Sequence, residues 1–143
     1  MAKNTIKVKK YADIIEEYTS TAVTITPGTL LELTSAGLVQ AHSVSTGRAL
    51  TMIALEDELQ GKTIDDAYAV STKVQCWLPG RGDIAYMFLA DGETAVIGNW
   101  LASDGAGKLI VSTTNPIGQA LEAVDMSDSS GADPSGRIQV RIN

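Results

Sequence analysis

"LASDGAGKLIVST", residues 101–113, decides what kind of chain this is. Its GAGK has the letters of a phosphate-binding loop, which runs G-x-x-x-x-G-K-[ST] from a strand into a helix so that backbone N–H groups face the phosphates. Here Ala102 stands where the first glycine belongs, Leu109 follows Lys108 where a hydroxyl residue belongs, and "LIVST" continues as a strand. Three requirements fail. The same letters read well as a hairpin, with "NWLA" and "KLIV" as strands and "SDGAG" joining them, where Gly105 and Gly107 are free to take positive φ. The stretch predicts β-structure and removes the nucleotide signal.

Working outward, period-2 alternation recurs in short runs bounded by turn residues. Ile6 and Val8 alternate with lysines, Val23 and Ile25 with threonines, and Ile138, Val140 and Ile142 with Arg137, Gln139 and Arg141. Between such runs lie "TPGT", "TSAG", "LPGRGD" and "LADGET", rich in the residues that supply turn geometry. Only "ADIIEEY" and "TIDDAY" read as helical, the second with Thr63 as a cap. The expected fold is mainly β, a small β-barrel or β-sandwich with an extended N-terminal arm and at most one or two short helices. Residues 1–20 form the basic arm and a short helix or extended segment, and residues 21–143 a single β domain.

The chain also repeats itself loosely. "GTLLELTSAGLV" from Gly28 aligns with "GNWLASDGAGKLI" from Gly98, which places Gly37 on Gly107, and "IALEDE" at Ile53 is echoed by "QALEAVD" at Gln119. Both a duplicated unit, over 28–58 and 98–125, and a chance likeness of two glycine-turned hairpins account for the match.

Bulk properties bound the function. With 44% apolar and 20% charged residues the chain has the composition of a folded globular protein. No apolar run approaches the roughly 20 residues that span a bilayer, so the chain reads as soluble, made in the cytosol and without a membrane partner. A net charge of −6 argues against nucleic acid. That sum hides an asymmetry, because Lys3, Lys7, Lys9 and Lys10 fall in the first ten residues with no acid among them. The segment is either a solvated terminus or an arm that lies on an acidic partner surface.

Candidate chemistry is thin. Cys76, in "TKVQCWLPG", alternates as a buried strand residue, and as the lone cysteine it excludes an internal disulfide or a CxxC motif. His42, the lone histidine, leaves no pair for a metal and no evident base for a Ser–His or Cys–His arrangement. Glu56, Asp57, Glu58, Asp65 and Asp66 read as solvent-facing charge. Arg81-Gly82-Asp83 spells an adhesion tripeptide within a glycine-rich turn. "DMSDSSGADPSG", residues 125–136, has the acids of a calcium loop but neither its glycine nor its closing glutamate in register. No enzyme activity, metal or cofactor is expected.

Residues 54–110, "ALEDELQGKTIDDAYAVSTKVQCWLPGRGDIAYMFLADGETAVIGNWLASDGAGKLI", resemble the middle of small tailed-bacteriophage capsid decoration (cement) proteins. The shared pattern is an "AL(E)" strand, a G-K-x-I-D-D-x-Y segment, a P-G turn and the run L-A-x-G-E-x-[IV]-x-x-G-x-x-L-x-S-D-G-x-G-x-L. The tail from Gly118 to Asn143 is similar too, with "A-L-E-A" and a final "R-I-x-V-R-[IV]" strand. The lysine-rich beginning is longer than in the shortest members. The resemblance implies a structural virion protein on the outer surface of the capsid that binds the major capsid protein, cements neighbouring capsomers and forms a homotrimer. It also implies a reaching N-terminal segment, whose contact residues to the capsid or a neighbouring protomer are Lys3, Ile6, Lys7, Val8, Lys9 and Lys10. Two rival readings are a phage tail or surface module that binds carbohydrate or a host receptor, and a small β-barrel enzyme acting on nucleotides. Sugar platforms need exposed aromatic rings, yet only 5% of the chain is aromatic, and Trp77 and Trp100 both fall in strand patterns.

Overall fold

A computed structural model describes residues 3–10, 13–127 and 136–143. The chain is mainly β, in several antiparallel sheets. In order the strands are β1 (Lys7–Lys9), β2 (Ile15–Thr19), β3 (Leu31–Leu33), β4 (Val39–Ala41), β5 (Ile53–Ala54), β6 (Lys73–Trp77) and β7 (Ile84–Phe88). They continue with β8 (Thr94–Ala95), β9 (Trp100–Ser103), β10 (Leu109–Val111), β11 (Gly118–Ala120), β12 (Val124–Asp125) and β13 (Arg137–Ile142). One sheet runs β1-β7-β13-β11-β9-β10, a second β2-β6-β5, and β3-β4 and β8-β12 form two-stranded ladders. Among the described residues these ladders do not close into a barrel.

The hairpin expected at 100–111 is present. Leu109 faces Ser103, Ile110 faces Ala102 and Val111 faces Leu101. Its loop is held by the Asp104 carboxylate, which accepts the N–H groups of Ala106 at 2.7 Å and Lys108 at 3.0 Å, with Gly105 at φ 86° and Gly107 at φ 82°. The Lys108 ammonium reaches Asp91 at 3.9 Å and lies 6.0 Å from the Phe88 ring centre, away from any backbone cradle.

The two halves of the chain follow one pairing scheme. β3 and β4 pair Leu31 with Ala41, Glu32 with Gln40 and Leu33 with Val39, and β9 and β10 repeat each of those pairs 70 residues on. Leu30 bridges Ile53 as Trp100 pairs with Gln119. Ala54 pairs with Cys76 as Ala120 pairs with Val140, and Glu16 pairs with Cys76 as Ala85 pairs with Val140. Even the parallel bridge Ser20 to Val39 recurs, as Leu89 to Leu109. The turn glycines correspond as well: the Gly28 N–H donates to Ala54 O at 2.8 Å and the Gly98 N–H to Ala120 O at 2.9 Å. Strands β2 through β6 thus have counterparts in β7, β9, β10, β11 and β13, well beyond the stretches in which the letters match.

Burial follows the same scheme. Ile25, Leu31, Val39, Ala54, Tyr68, Val74 and Cys76 pack together in the first half. Their counterparts Ala95, Leu101, Leu109, Ala120, Val124, Ile138 and Val140 all belong to the larger core cluster. That cluster also takes in Leu30, Ile53 and Trp77 from the first half, so it is both the second half's core and the seam between halves. Each valine, leucine or isoleucine among them contributes about 1.5–3 kcal/mol by leaving water.

Of the two alternatives for residues 1–20, a short helix or an extended segment, the described part of "ADIIEEY" takes the extended one: Ile15 to Thr19 pair residue by residue with Trp77 to Lys73, and a five-pair ladder outweighs local preference. "TIDDAY" forms a turn in which the Asp66 carboxylate accepts the Thr63 N–H at 2.7 Å and hydroxyl at 3.0 Å, while Thr63 Oγ1 accepts the Asp65 N–H at 3.3 Å. Thr63 caps as expected, but no helix follows; the only helical turn among the described residues is the 3-10 segment Glu58–Gln60.

Candidate functional site: the N-terminal segment and the seam

The segment expected to reach a partner lies along its own chain. β1 pairs with β7, Lys7 facing Ala85 and Lys9 facing Ile84, which makes it the outermost strand of the large sheet. Ile6 has 0% exposure; its N–H donates to Glu56 Oε2 at 3.1 Å and its carbonyl accepts the Tyr86 N–H at 2.9 Å. Val8 packs against the main core. Adding a strand to a sheet edge is what this segment does, within the molecule.

Its lysines meet the acids of the same chain. Lys7 and Lys10 place their ammonium groups 3.0 and 2.6 Å from the Asp13 carboxylate. Hydrogen bonds from Lys10 and then Lys7 hold that carboxyl below its ordinary value. Lys3 borders a polar cleft of about 450 Å³ with Glu56, Glu58 and Asp65, while Lys9 and Lys10 are exposed. Glu56, expected in solvent, is 9% exposed, because it serves the otherwise orphaned N–H of Ile6.

The seam holds the groups that spacing did not bring together. His42 and Ser103 are both buried, with Nδ1 2.7 Å from Oγ. The other ring nitrogen lies 3.0 Å from the Arg48 carbonyl, which only accepts, so Nε2 carries the proton and Nδ1 takes the serine hydroxyl's. Ser103 Oγ also accepts the Gly105 N–H at 3.1 Å. The pair is satisfied and ties the halves together; Ser103 is fully buried, while His42 borders a largely apolar cavity of about 310 Å³ with Leu31, Glu32, Arg48 and Met52. Arg137, expected on a strand's outer face, is 1% exposed. Its guanidinium donates to Pro27 O at 3.0 Å and Ile64 O at 2.6 Å, pairs with Asp65 at 3.3 Å and stacks 4.3 Å from the Phe88 ring centre. Alternation gave no sign of either arrangement, since both depend on how the halves meet.

Other candidates settle as structural parts. Cys76 is buried in β6, and burial pushes its thiol up to about 12. Asp83 of the adhesion-like tripeptide is 1% exposed and accepts the Gly80 N–H at 2.8 Å, so the tripeptide is not displayed. The Asp125 carboxylate accepts from Thr94 and Ser127; residues 128–135 of the calcium-like loop lie outside the described residues. Trp77 is fully buried and Trp100 is 38% exposed.

A scan against models of known protein families finds no match to this chain, and a search of curated proteins finds no significant relative.

Proposed function

We propose that this protein is a structural component of a bacteriophage particle that binds the outside of the capsid lattice and cements neighbouring capsomers as a homotrimer. One observation carries the reading: the residues that resemble the cement proteins are spent on scaffold. In L-x-S-D-G-x-G-x-L, Leu101, Ser103 and Leu109 are buried at 0%, Asp104 caps the loop, and Gly105 and Gly107 take positive φ against the other half. A protein whose distinctive residues build shape acts through its surface.

The mechanism is multivalent. Each copy makes modest contacts, and a symmetric oligomer bridging several capsomers gains affinity because later contacts form at high effective concentration. Lys9 and Lys10, both exposed, carry the segment's positive charge toward an acidic capsid surface, Lys10 while paired with Asp13, and Lys3 precedes them in the same segment; Ile6 and Val8 fix the strand that carries these lysines. Exposure of Trp100 favours a second reading, a tail or surface module that recognises carbohydrate or a host receptor.

Co-sedimentation with capsids of the phage that encodes the chain tests the proposal. Binding to expanded and not to unexpanded capsids is the expected result; failure to sediment with either rejects it.

A further inference from the structure

One set of the contacts that join the halves runs one way. The first half offers Pro27, Gly28 and Leu30; the second receives them with Phe88, Gly107 and Arg137. Phe88 N–H donates to Gly28 O at 3.2 Å, Leu30 N–H to Gly107 O at 2.8 Å, and Arg137 to Pro27 O. The fit is close: a Cβ on Gly107 would stand 2.5 Å from Thr29 Cγ2, and one on Gly28 3.0 Å from Arg137 Nε.

The shared pairing scheme gives every one of these residues a counterpart. Pro27, Gly28 and Leu30 correspond to Ile97, Gly98 and Trp100; Phe88, Gly107 and Arg137 correspond to Thr19, Gly37 and Lys73. In the seam Leu30 is 0% and Arg137 1% exposed, and Pro27 is buried. Outside it, Ile97 is 70% and Trp100 38% exposed, and Lys73, on the receiving side, is exposed too. Among the described residues nothing lies within 4 Å of a Cβ on either Gly37 or Gly98. Among them the second half therefore ends in an uncovered offering face, and the first half in an uncovered receiving face.

We propose that copies of this chain associate head to tail, with Ile97, Gly98 and Trp100 of one copy seated on β2, Gly37 and Lys73 of the next, as residues 27–30 seat on β7 inside the chain. The main-chain part of the chemistry carries over, whereas the His42–Ser103 tie does not, since Ser112 and Leu33 stand at those places. The Thr19 N–H points to the open edge of β2 and meets the second lone pair of the Gly98 carbonyl, whose first accepts Gln119 Nε2 at 3.0 Å, and the Lys73 ammonium takes the Ile97 carbonyl that Arg137's counterpart position predicts. A lysine makes fewer fixed hydrogen bonds than a guanidinium fork, so the contact between copies is weaker than the seam and reversible. Because the two faces differ, the interface is heterologous, and repetition closes a ring when the rotation between copies returns on itself, as the trimer requires. The inference deepens the trimer in the reading above but rests on the pairing scheme, not on capsid binding, so each fails independently.

Sedimentation velocity on the full chain tests it with two substitutions at exposed positions, Ile97→Asp on the offering face and Lys73→Glu on the receiving face. Wild type sediments as a closed oligomer, and each variant alone as a monomer. An equimolar mixture of the variants forms a dimer, because each keeps the face the other has lost; a two-fold interface between identical patches gives no such rescue. Leu33→Glu, also exposed on the receiving side, replaces Lys73→Glu should that variant lose the wild-type circular dichroism spectrum. A wild type that stays monomeric at all concentrations, variants that assemble like wild type, or a mixture that stays monomeric overturns the proposal.

Discussion

His42 Nδ1 and Ser103 Oγ, one from each half of the chain, lie 2.7 Å apart with neither residue more than 4% exposed. A serine and a histidine at this distance have the form of a catalytic pair, yet the imidazole's other nitrogen is fixed by the Arg48 carbonyl and the hydroxyl also receives the Gly105 N–H. Every polar atom is engaged, which in a dry interior stabilises one arrangement of the halves. Arg137 does the same at the other end of the seam.

Replacing Arg137 with Met removes the donors to two main-chain carbonyls, those of Pro27 and Ile64, and leaves both acceptors short in a dry seam. The expected loss is about 3 kcal/mol. Arg137→Lys restores only part, because an ammonium cannot span both carbonyls as a fork does. Urea unfolding midpoints of the three proteins measure the order wild type, Lys, Met.

Gly37 and Gly107 hold the same place in two hairpins, at φ 77° and φ 82°, but only Gly107 is pressed against the other half. Gly37→Ala carries backbone strain alone, about 1 kcal/mol. Gly107→Ala adds a clash with Thr29 and Ala41 and is expected to lose about 3 kcal/mol in all. Equal losses in thermal unfolding would deny that the seam, and not the turn, sets the requirement at Gly107.

Ile6→Ala is expected to destabilise by about 3 kcal/mol, since the side chain is wholly buried beneath β1. Lys3→Gln, Lys9→Gln and Lys10→Gln together should change stability by less than about 1 kcal/mol. Any weakening of capsid binding by the triple lysine variant therefore reads out surface contact, whereas deleting residues 1–10 also strips β7 of its outer strand. Denaturation curves of the two variants separate these effects.

Cys76 gives stability a pH dependence. Burial raises its thiol from 9.0 in the unfolded chain to about 12 in the folded one, so only the unfolded chain readily forms the thiolate. The contribution is whole below pH 9 and is lost as pH rises toward about 12, by at most about 1.4 kcal/mol per unit. Burial raises the Tyr68 hydroxyl as well, so Cys76→Ala, which keeps Tyr68, isolates the thiol. The variant's stability should fall less steeply with pH than wild type's, and native Cys76 should resist thiol reagents until the chain unfolds.

The hairpin at 100–111 was legible because its signals are local: turn glycines, an aspartate that caps the loop, alternation on either side. The seam was not. Arg137 and Arg141 sit at equivalent points of one alternating strand, yet one is 1% exposed and the other lies in solvent, a difference set by residues 72 to 110 positions away. The repeat was visible only where both copies keep the same turn. β2 reads IEEYT and β7 reads IAYMF, although they occupy the same place in the pairing scheme. β7 is covered by β1 and the first half and is apolar, while β2, at an open edge, carries glutamates. The choice between helix and extended chain at Ile15–Thr19 was open in the sequence for the same reason: its neighbour in β6 is far away along the chain.

The central claim, a protein that coats a capsid, is tested most directly by a cryo-electron microscopy map of the phage particle that encodes the chain. The account predicts this fold in density on the outer shell, over junctions between capsomers, in three-fold copies. Density for the chain at the tail, or mature particles that lack it, contradicts the account.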